Sequence, residues 1–434
     1  MVWDFETEPE FQEQLDWTRA FLDEHILPLE TIELEVTDEQ WKALTAPLKQ
    51  QVKDRGLWAC HLDPELGGQG FGQVKLGLMH EILGRSQIAP AIFGNNAPDS
   101  GNAELLAIGG NEEQKKRWMA PLLAGELRSG FSMTEPDTAG SDPTLLATNA
   151  VRDGDTWVIN GHKWFTSGGS GADFLIAMVV TNPDVHPYQG SSMIVVPTDT
   201  PGLEIVRDVP NMHHPYPGRF ARHPVGHSEV VYRDVRVPAE NLIGRPGDGF
   251  LLAQKRLGPG RIHHAMRWIG QSQRALDMMC ERALSRFAHG SLLADKQMVQ
   301  DFIAETRIDI ASARLLCLHA AWHMDKHGSS ASRTEIAMIK VYGTKMLFNA
   351  IDRSIQVHGA LGYSADMPLE EMYRSARASR LVDGADEVHK VSIARRTLKE
   401  YAAVDGVPSE HIPTRRAAAL ERFAQQLEIE SLNS

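Results

Sequence analysis

The stretch RLVDGADEVHKV, residues 380–391, sets the carboxylates of Asp383, Asp386 and Glu387 close together, with Gly384 and Ala385 beside the first of them. A carboxylate in water has a pKa of roughly 4 and is a weak base. Burial raises that value towards the working pH, which is what a placed general base requires. Gly384 gives the backbone clearance to bring an acid close to a reacting atom. Asp383 also suits the N-cap of a helix opening near 384–386. Asp386 and Glu387 suit the first turn of that helix, where negative charge meets its dipole.

A second stretch, RLGPGRIHHAMR at 256–267, supplies cations. Its Gly-Pro-Gly break is expected to start a helix near Arg261. Arg261, His264 and Arg267 then recur at three-residue steps, and His263 and Arg267 form an i, i+4 pair. A helix start among cations is an anion site; the same stripe would also serve as a subunit interface or a plain surface. Two polar loops complete the set. FSMTEPDTAGSD, 131–142, alternates Ser132, Thr134, Thr138 and Ser141 with turn formers. It offers backbone N–H groups and hydroxyls to an anion or a planar polar ring, or forms an ordinary polar turn. INGHKWFTSGG, 159–169, places Trp164 and Phe165 before Thr166, Ser167 and two glycines. That is a wall for a flat ring, or a hairpin with a core tryptophan. The histidine-rich run at 211–227 reads as a rim or interface loop. With no HExxH and no paired cysteines, a metal site is not expected.

These residues need elements to hold them. Residues 1–128 read as helical: Phe11, Leu15, Phe21 and Leu22 follow a helical period that Pro28 is expected to close, and a later helix is broken at Pro121. PELGGQGFGQ lacks GxGxxG spacing and reads as a turn. Residues 129–240 hold short Val- and Ile-rich runs separated by Gly, Pro, Asp and Asn, an antiparallel β pattern without βαβ alternation. Helices return from about 249, near 261–288, 294–327, 333–361, 366–379 and 384–402. A Pro-bearing linker then leads to a last helix marked by Leu420, Phe423 and Leu427. The divisions are therefore 1–128, 129–240, 241–402 and a tail at 403–434. A chain of 434 residues exceeds one hydrophobic core.

A net charge of −13 argues against a nucleic-acid groove, though not against a local basic pocket. No apolar run approaches the roughly 18–20 residues of a membrane span. The acidic N-terminus resembles neither a secretory signal nor a transit peptide. Cys60, Cys280 and Cys317 are far apart, so a reduced, cytoplasmic setting is expected.

Taken together and in this order, the motifs resemble the acyl-CoA dehydrogenase family of flavoproteins over most of the chain. PELGGQG is similar to the family's glycine-rich turn, and IGGNEEQKKRWMAPLLAGELRSGFSMTEP to its approach to the flavin loop. INGHKWFTSGG is similar to its second flavin strand and IQVHGALGY to its adenine-side motif. TEPDTAGSD, RLGPGRIHH and DGADEVH resemble the branch whose vertebrate members are numbered ten and eleven. TEPDTAGSD carries one residue more than the usual pattern, and KWFTSGG one fewer.

The resemblance implies an α+β fold: an N-terminal α-helical domain, a middle antiparallel β-barrel and a C-terminal four-helix bundle. It implies FAD-dependent dehydrogenation of an acyl-CoA to the trans-2-enoyl-CoA, with electrons passed to electron-transfer flavoprotein. The assembly would be a homodimer or a dimer of dimers sharing its FAD sites. Carried over residue by residue, Met133 and Thr134 would hold the flavin pyrimidine, Ser141 the pyrophosphate side, Trp164 and Phe165 a ring face, and Thr166 N5. Arg286 would pair with the pyrophosphate across the subunit boundary, His289 stands where the family has Phe, and Gln356 and Gly359 face the adenine side. Glu387 would lie on the ribityl or adenosine side. Asp383 stands where the family has a catalytic Glu, and the alternative base position is Gly260. Arg261 and Gly384 would border the acyl-CoA, while His263, His264 and Arg267 would meet a polar acyl substituent. In that branch substrates include long acyl chains and 4-hydroxyacyl chains handled as 4-phosphoryl esters. A flavin oxidase of the same fold (nitroalkane- or acyl-CoA-oxidase-like) and a non-catalytic CoA-ester-binding protein are the competing readings.

Overall fold

The computed structural model describes residues 5–213 and 226–432. The first helix, α1 (Pro9–Phe21), buries Phe11, Leu15, Thr18 and Phe21 at helical spacing. It does not end at Pro28. A wide π-turn at Leu22–Ile26 follows, and a further turn runs from Leu27 to Glu30. The same device recurs at Pro121, where a π-turn at Lys115–Met119 leads into Ala120–Ala124. A proline lacks the N–H and crowds the carbonyl four residues back; widening the preceding turn absorbs both faults. Three more N-terminal helices matter here only as supports: α2 (Asp38–Asp54), α3 (Gly72–Leu83) and α4 (Asp99–Gly109). The glycine-rich run before α3 is a turn, as expected: a Cβ on Gly68 would meet the Leu62 carbonyl oxygen at 1.7 Å.

The middle of the chain is a sheet of β1 (Ser129–Ser132), β2 (Asn149–Asp153), β3 (Thr156–Ser167), β4 (Phe174–Val180), β5 (Ser191–Pro197), β6 (Leu203–Asp208), β7 (His227–Pro238) and β8 (Leu242–Ile243). The order is β6-β7-β3-β1-β4-β5-β8, and β2 pairs with both β3 and β4, which closes a ring through β1. One expectation is corrected. β1 and β4 run parallel, with Ser129 opposite Phe174 and Ser132 opposite Ala177. The β2–β3 hairpin lies between them in sequence and supplies the crossover that a parallel pair needs.

The C-terminal bundle comprises α5 (Gly249–Ser285), α6 (Gln297–His327), α7 (Arg333–His358) and α8 (Leu369–Ser379); α9 (Asp386–Leu398) follows in sequence. The second correction concerns α5, which runs unbroken through Gly258-Pro259-Gly260 instead of starting at Arg261. The lost bond at Pro259 is one among many in a long helix whose Leu252, Ala253, Ile262 and Met266 are buried on both sides of it. No helix N-terminus, and hence no dipole site, lies at Arg261.

The bundle core of Met266, Ile269, Cys317, Leu318, Ile336 and Ile339 also takes up Val74 and Leu78 of α3. Gly84 and Gly270 make a close crossing: a Cβ on Gly84 would sit 2.2 Å from the Arg267 carbonyl oxygen, and one on Gly270 2.0 Å from that of Glu81. Asp325 of α6 reaches back to α3, accepting from the backbone N–H groups of Gln73 at 2.6 Å and Val74 at 3.1 Å. Residues 1–390 form one compact unit and 391–434 another. In the second, α10 (Ile412–Arg422) and α11 (Ala424–Leu432) divide the single helix expected there, and Leu420, Phe423 and Leu427 are exposed. Among the described residues no helix is long and apolar enough to cross a membrane.

Candidate active site

Asp383 sits in the turn between α8 and α9 with φ +55°, followed by Gly384 at φ +94°. Aspartate is one of the few non-glycine residues that tolerates the left-handed region. The turn is held through its main chain. The Asp383 carbonyl accepts from Arg261 Nε at 3.2 Å, Arg261 Nη2 at 2.9 Å and His389 Nε2 at 3.1 Å. Gly384 is needed for clearance, since a Cβ there would lie 3.0 Å from His389 Nε2. α9 starts only at Asp386, and no hydrogen bond from its first turn reaches the Asp383 side chain, so the N-cap reading is not realised. The carboxylate instead faces His264, Oδ2 to Nε2 3.7 Å.

Burial pushes the Asp383 carboxyl up. It is opposed by His264 whenever that ring is protonated, and by Arg261, Arg256 and Lys340; the net direction is down. The expectation of a raised base is therefore not met by the chain alone, because cations outweigh desolvation. The other two acids divide as well. Asp386 is buried and accepts from Lys340 Nζ at 3.3 Å, Thr344 Oγ1 at 3.3 Å and Arg380 Nε at 2.8 Å. Glu387 is exposed.

Behind Asp383 lies a polar cluster of buried and half-buried side chains. Arg267 donates to His264 Nδ1 at 2.8 Å, to His80 Nδ1 at 3.3 Å and to the Asn95 carbonyl at 3.4 Å. Burial and Asp383 act on Arg267 in opposite senses, and its guanidinium is pushed down to about 10. His263 does not pair with Arg267: its Nε2 meets Gln73 Oε1 at 3.1 Å and its ring stacks on His80 at 4.6 Å. Burial holds both rings well below the usual imidazole range. Arg256 extends the cluster, donating to Asn102 Oδ1 at 3.2 Å and covering Phe131 at 4.0 Å from the ring centre. Next to it Glu104 is buried without a hydrogen-bond partner among the described residues; burial pushes its carboxyl up to about 8, against the pull of Arg256.

The two polar loops meet at the sheet. The Trp164 N–H donates to the Thr134 carbonyl at 2.7 Å. Lys163, fully buried, donates to the Met133 carbonyl and to Glu135 Oε1, both at 2.9 Å. Glu135 in turn accepts from the backbone N–H groups of Ala147 and Thr148. The register of β3 slips between Lys163 and Thr166, and Phe165 takes φ +52°. This bulge lets Trp164 and Phe165 both stay out of the core, rings 5.0 Å apart, while Lys163 and Thr166 point in. The Thr166 hydroxyl donates to Ser132 Oγ at 3.2 Å, where Tyr232 also donates at 2.9 Å. Ser141, Arg286, His289, Gln356 and Gly359 are exposed, and no hydrogen bond or ion pair among the described residues ties them to Asp383. Of the histidine-rich run, residues 214–225 lie outside the described residues; Met212 and His213 are held by Arg374 through their carbonyls.

Sequence reasoning missed Arg256, His389, Lys340, His80 and Glu104. The first two lie inside the stretches already singled out, five residues before Arg261 and six after Asp383, so their proximity was readable. The other three arrive from distant elements and carry no local signal.

A helical–β–helical chain with an acid in the turn between α8 and α9 defines a fold class, and sequence comparison agrees with it segment by segment. Residues 8–126, 130–219 and 247–398 match the N-terminal, middle and C-terminal domains of acyl-CoA dehydrogenases. The chain belongs to the acyl-CoA dehydrogenase family, and its function is of that type. It is 48% identical over 354 residues to the Mycobacterium tuberculosis protein named "Probable acyl-CoA dehydrogenase FadE2", covering 81% of this chain and 84% of that one. It is 43% identical over 402 residues to human acyl-CoA dehydrogenase family member 11, covering 90% of this chain but only 50% of the relative. The chain thus spans about half of that longer protein. A solved structure from Mycobacterium abscessus assigned to the acyl-CoA dehydrogenases superposes with TM-score 0.86 at 42% identity, covering 92% of this chain and all of that one. A glutaryl-coenzyme A dehydrogenase in complex with glutaryl-CoA superposes with TM-score 0.80 at 27% identity, over 94% and 100% of the two chains.

Proposed function

We propose that this chain is an FAD-dependent dehydrogenase that converts an acyl-CoA thioester to its trans-2-enoyl-CoA, with Asp383 as the base that takes the α-proton. The observation that carries the reading is the Asp383 turn: a left-handed residue whose carbonyl is gripped by Arg261 and His389, leaving the carboxylate directed at the cationic cluster. Aspartate is one C–C bond, about 1.5 Å, shorter than glutamate. A pinned backbone compensates for that reach, because the acid need not search for its geometry. The carboxylate is one-quarter exposed, so an entering acyl chain strips water from it and adds to the burial that already pushes its pKa up.

The residues present fit a flavin. Phe165 is held outward by a strained backbone beside Trp164, and Lys163 fixes the Met133–Thr134 loop from below. Met133, Thr134, Trp164 and Phe165 would hold the ring system, with Ser141 on the pyrophosphate side. Arg286, His289, Gln356, Gly359 and Glu387, all on the surface, would serve a cofactor shared with a second copy. When bound, FAD would supply the acceptor for the β-hydride, with electron-transfer flavoprotein as the proposed destination of the electrons. Thr166, engaged by Ser132, supports that position from within the sheet.

On the substrate side, Arg267 has no carboxylate in ion-pair contact among the described residues. A half-buried cation whose one opposing charge, Asp383, lies beyond ion-pair contact favours an acyl chain bearing a polar or anionic group, as in 4-hydroxy or 4-phospho chains, over a plain long chain. Arg267→Ala should then weaken 4-substituted substrates more than plain acyl-CoAs; equal losses would remove that refinement.

The base is tested by Asp383→Asn. The variant should purify yellow with FAD and show no anaerobic bleaching by acyl-CoA; bleaching at the wild-type rate would refute the assignment. Reduction of ferrocenium without oxygen uptake distinguishes the dehydrogenase from an oxidase of the same fold, and a colourless wild-type protein would favour a non-catalytic CoA-ester binder.

A further inference from the structure

Two contacts around His264 have a joint consequence. Arg267 Nη2 lies 2.8 Å from His264 Nδ1. A guanidinium only donates, so Nδ1 carries no hydrogen and the neutral ring bears its proton on Nε2. That nitrogen is the one facing Asp383 Oδ2, at 3.7 Å, longer than a hydrogen bond but close enough for a charge–dipole interaction. We propose that His264 is a positioning residue for Asp383: a neutral imidazole, locked in one tautomer by Arg267, whose Nε2–H holds the short carboxylate in aim and cannot receive its proton. The inference rests on the reading of Asp383 as base.

The surroundings keep the ring neutral. Arg256, Arg261 and Arg267 lie on the same helix, α5, and Lys340 approaches Asp383 from α7. The carboxylate of Asp386 is taken by Lys340 and Arg380, and His389 of α9 is turned to the Asp383 carbonyl. His263 and His80 face Gln73 and Arg267 and are themselves neutral. Burial, then Arg267, push His264 down to about 4, with Asp383 pulling the other way. Adding a proton would require an N–H on Nδ1, aimed at the Arg267 donor. A proton taken by Asp383 therefore leaves by another route than this ring, and the ring's role is directional.

The experiment is stopped-flow bleaching of the holoenzyme by saturating butyryl-CoA and octanoyl-CoA across pH. His264→Leu removes the N–H and should move the acid limb of the bleaching rate up by about one pH unit, with a rate loss of roughly tenfold. His264→Gln, which keeps an amide N–H without a titrating ring, should restore the limb and bring the rate to within about threefold of wild type. With these two substrates, which carry no polar acyl substituent, the loss should fall on the bleaching rate and not on Kd. A leucine variant with the wild-type limb and rate overturns the proposal. If the leucine variant does not fold, Arg267→Met keeps the ring but unlocks it. The bleaching profile should then gain a second ionisation between about pH 5 and 7, and an unchanged profile overturns the proposal. Failure of the parent reading is separate: bleaching by Asp383→Asn refutes the base whatever the His264 variants do.

Discussion

Glu104 shows what a single buried acid costs. Its carboxyl is shifted from an ordinary 4.5 up to about 8 by burial, with Arg256 opposing. Between those values the folded state holds a proton that the unfolded state has released, so stability falls as pH rises from 4.5 and the penalty is complete above about 8. Glu104→Gln should remove that slope and stabilise the protein at pH 8.5 by on the order of 2–4 kcal/mol, read by urea unfolding at pH 5 and pH 8.5. An equal midpoint at both pH values in the wild type would rule the shift out. Asp386 is the opposite case: Asp386→Ala strands Lys340, 1% exposed, without its partner. That should cost about 3–5 kcal/mol, seen as a lower thermal midpoint. Asp383 was legible in the sequence because an acid beside Gly384 is a local signal, and His264 and Arg267 because a run of cations is one too. What their charges do was not legible. The downward pull on Asp383 comes from His264 when protonated, then Arg261 and Arg256, with a smaller share from Lys340, which lies 43 positions away in sequence.

At the level of elements, the site depends on how closely α3 approaches α5. Gly84 and Gly270 let the two backbones touch, and that contact delivers His80 to Arg267 and Gln73 to His263. Gly270→Ala should therefore destabilise by about 1–3 kcal/mol and lower the bleaching rate without touching any site residue. A variant with wild-type stability by chemical denaturation would show that the crossing relaxes freely. Helical and strand periods identified these elements because burial imposes the period on the residues themselves: Phe11, Leu15 and Phe21 in α1, and the fully buried β4 run. Pairing is a different matter. Nothing in Ser129–Ser132 says that its neighbour is the parallel β4, since a strand reads the same beside either partner. The prolines misled for a related reason. Pro28, Pro121 and Pro259 each forbid one backbone bond, but whether the helix stops, widens or runs on is decided by what packs around it.

For the whole molecule, the residues read as cofactor contacts fall into two sets. Thr134, Trp164 and Phe165 sit at the sheet face, whereas Arg286, His289, Gln356 and Gly359 are on the bundle's exposed ends. On the proposed reading, a second copy of the chain would complete the flavin site. Arg286→Ala should retain the fold and elute at the wild-type size while losing most of its FAD on gel filtration; full flavin content would remove Arg286 from the site. The family and its three-part order were legible because loop motifs are short and contiguous in sequence. The sharing of one core between α3 and the bundle was not, since Val74 and Leu78 meet Met266 and Cys317 only in three dimensions.

That shared core sets a schedule for biosynthesis. α3 leaves the ribosome long before Asp325, which caps it from 252 positions downstream. At translation rates of roughly 5–20 residues per second, the nascent N-terminal helices wait on the order of 10–50 s for the helices that cover them. During that interval the face of α3 bearing Val74, Leu78 and the bare Gly77–Gly84 edge is open to solvent. An apolar face open for that long is a site for chaperones to cover until the bundle helices arrive.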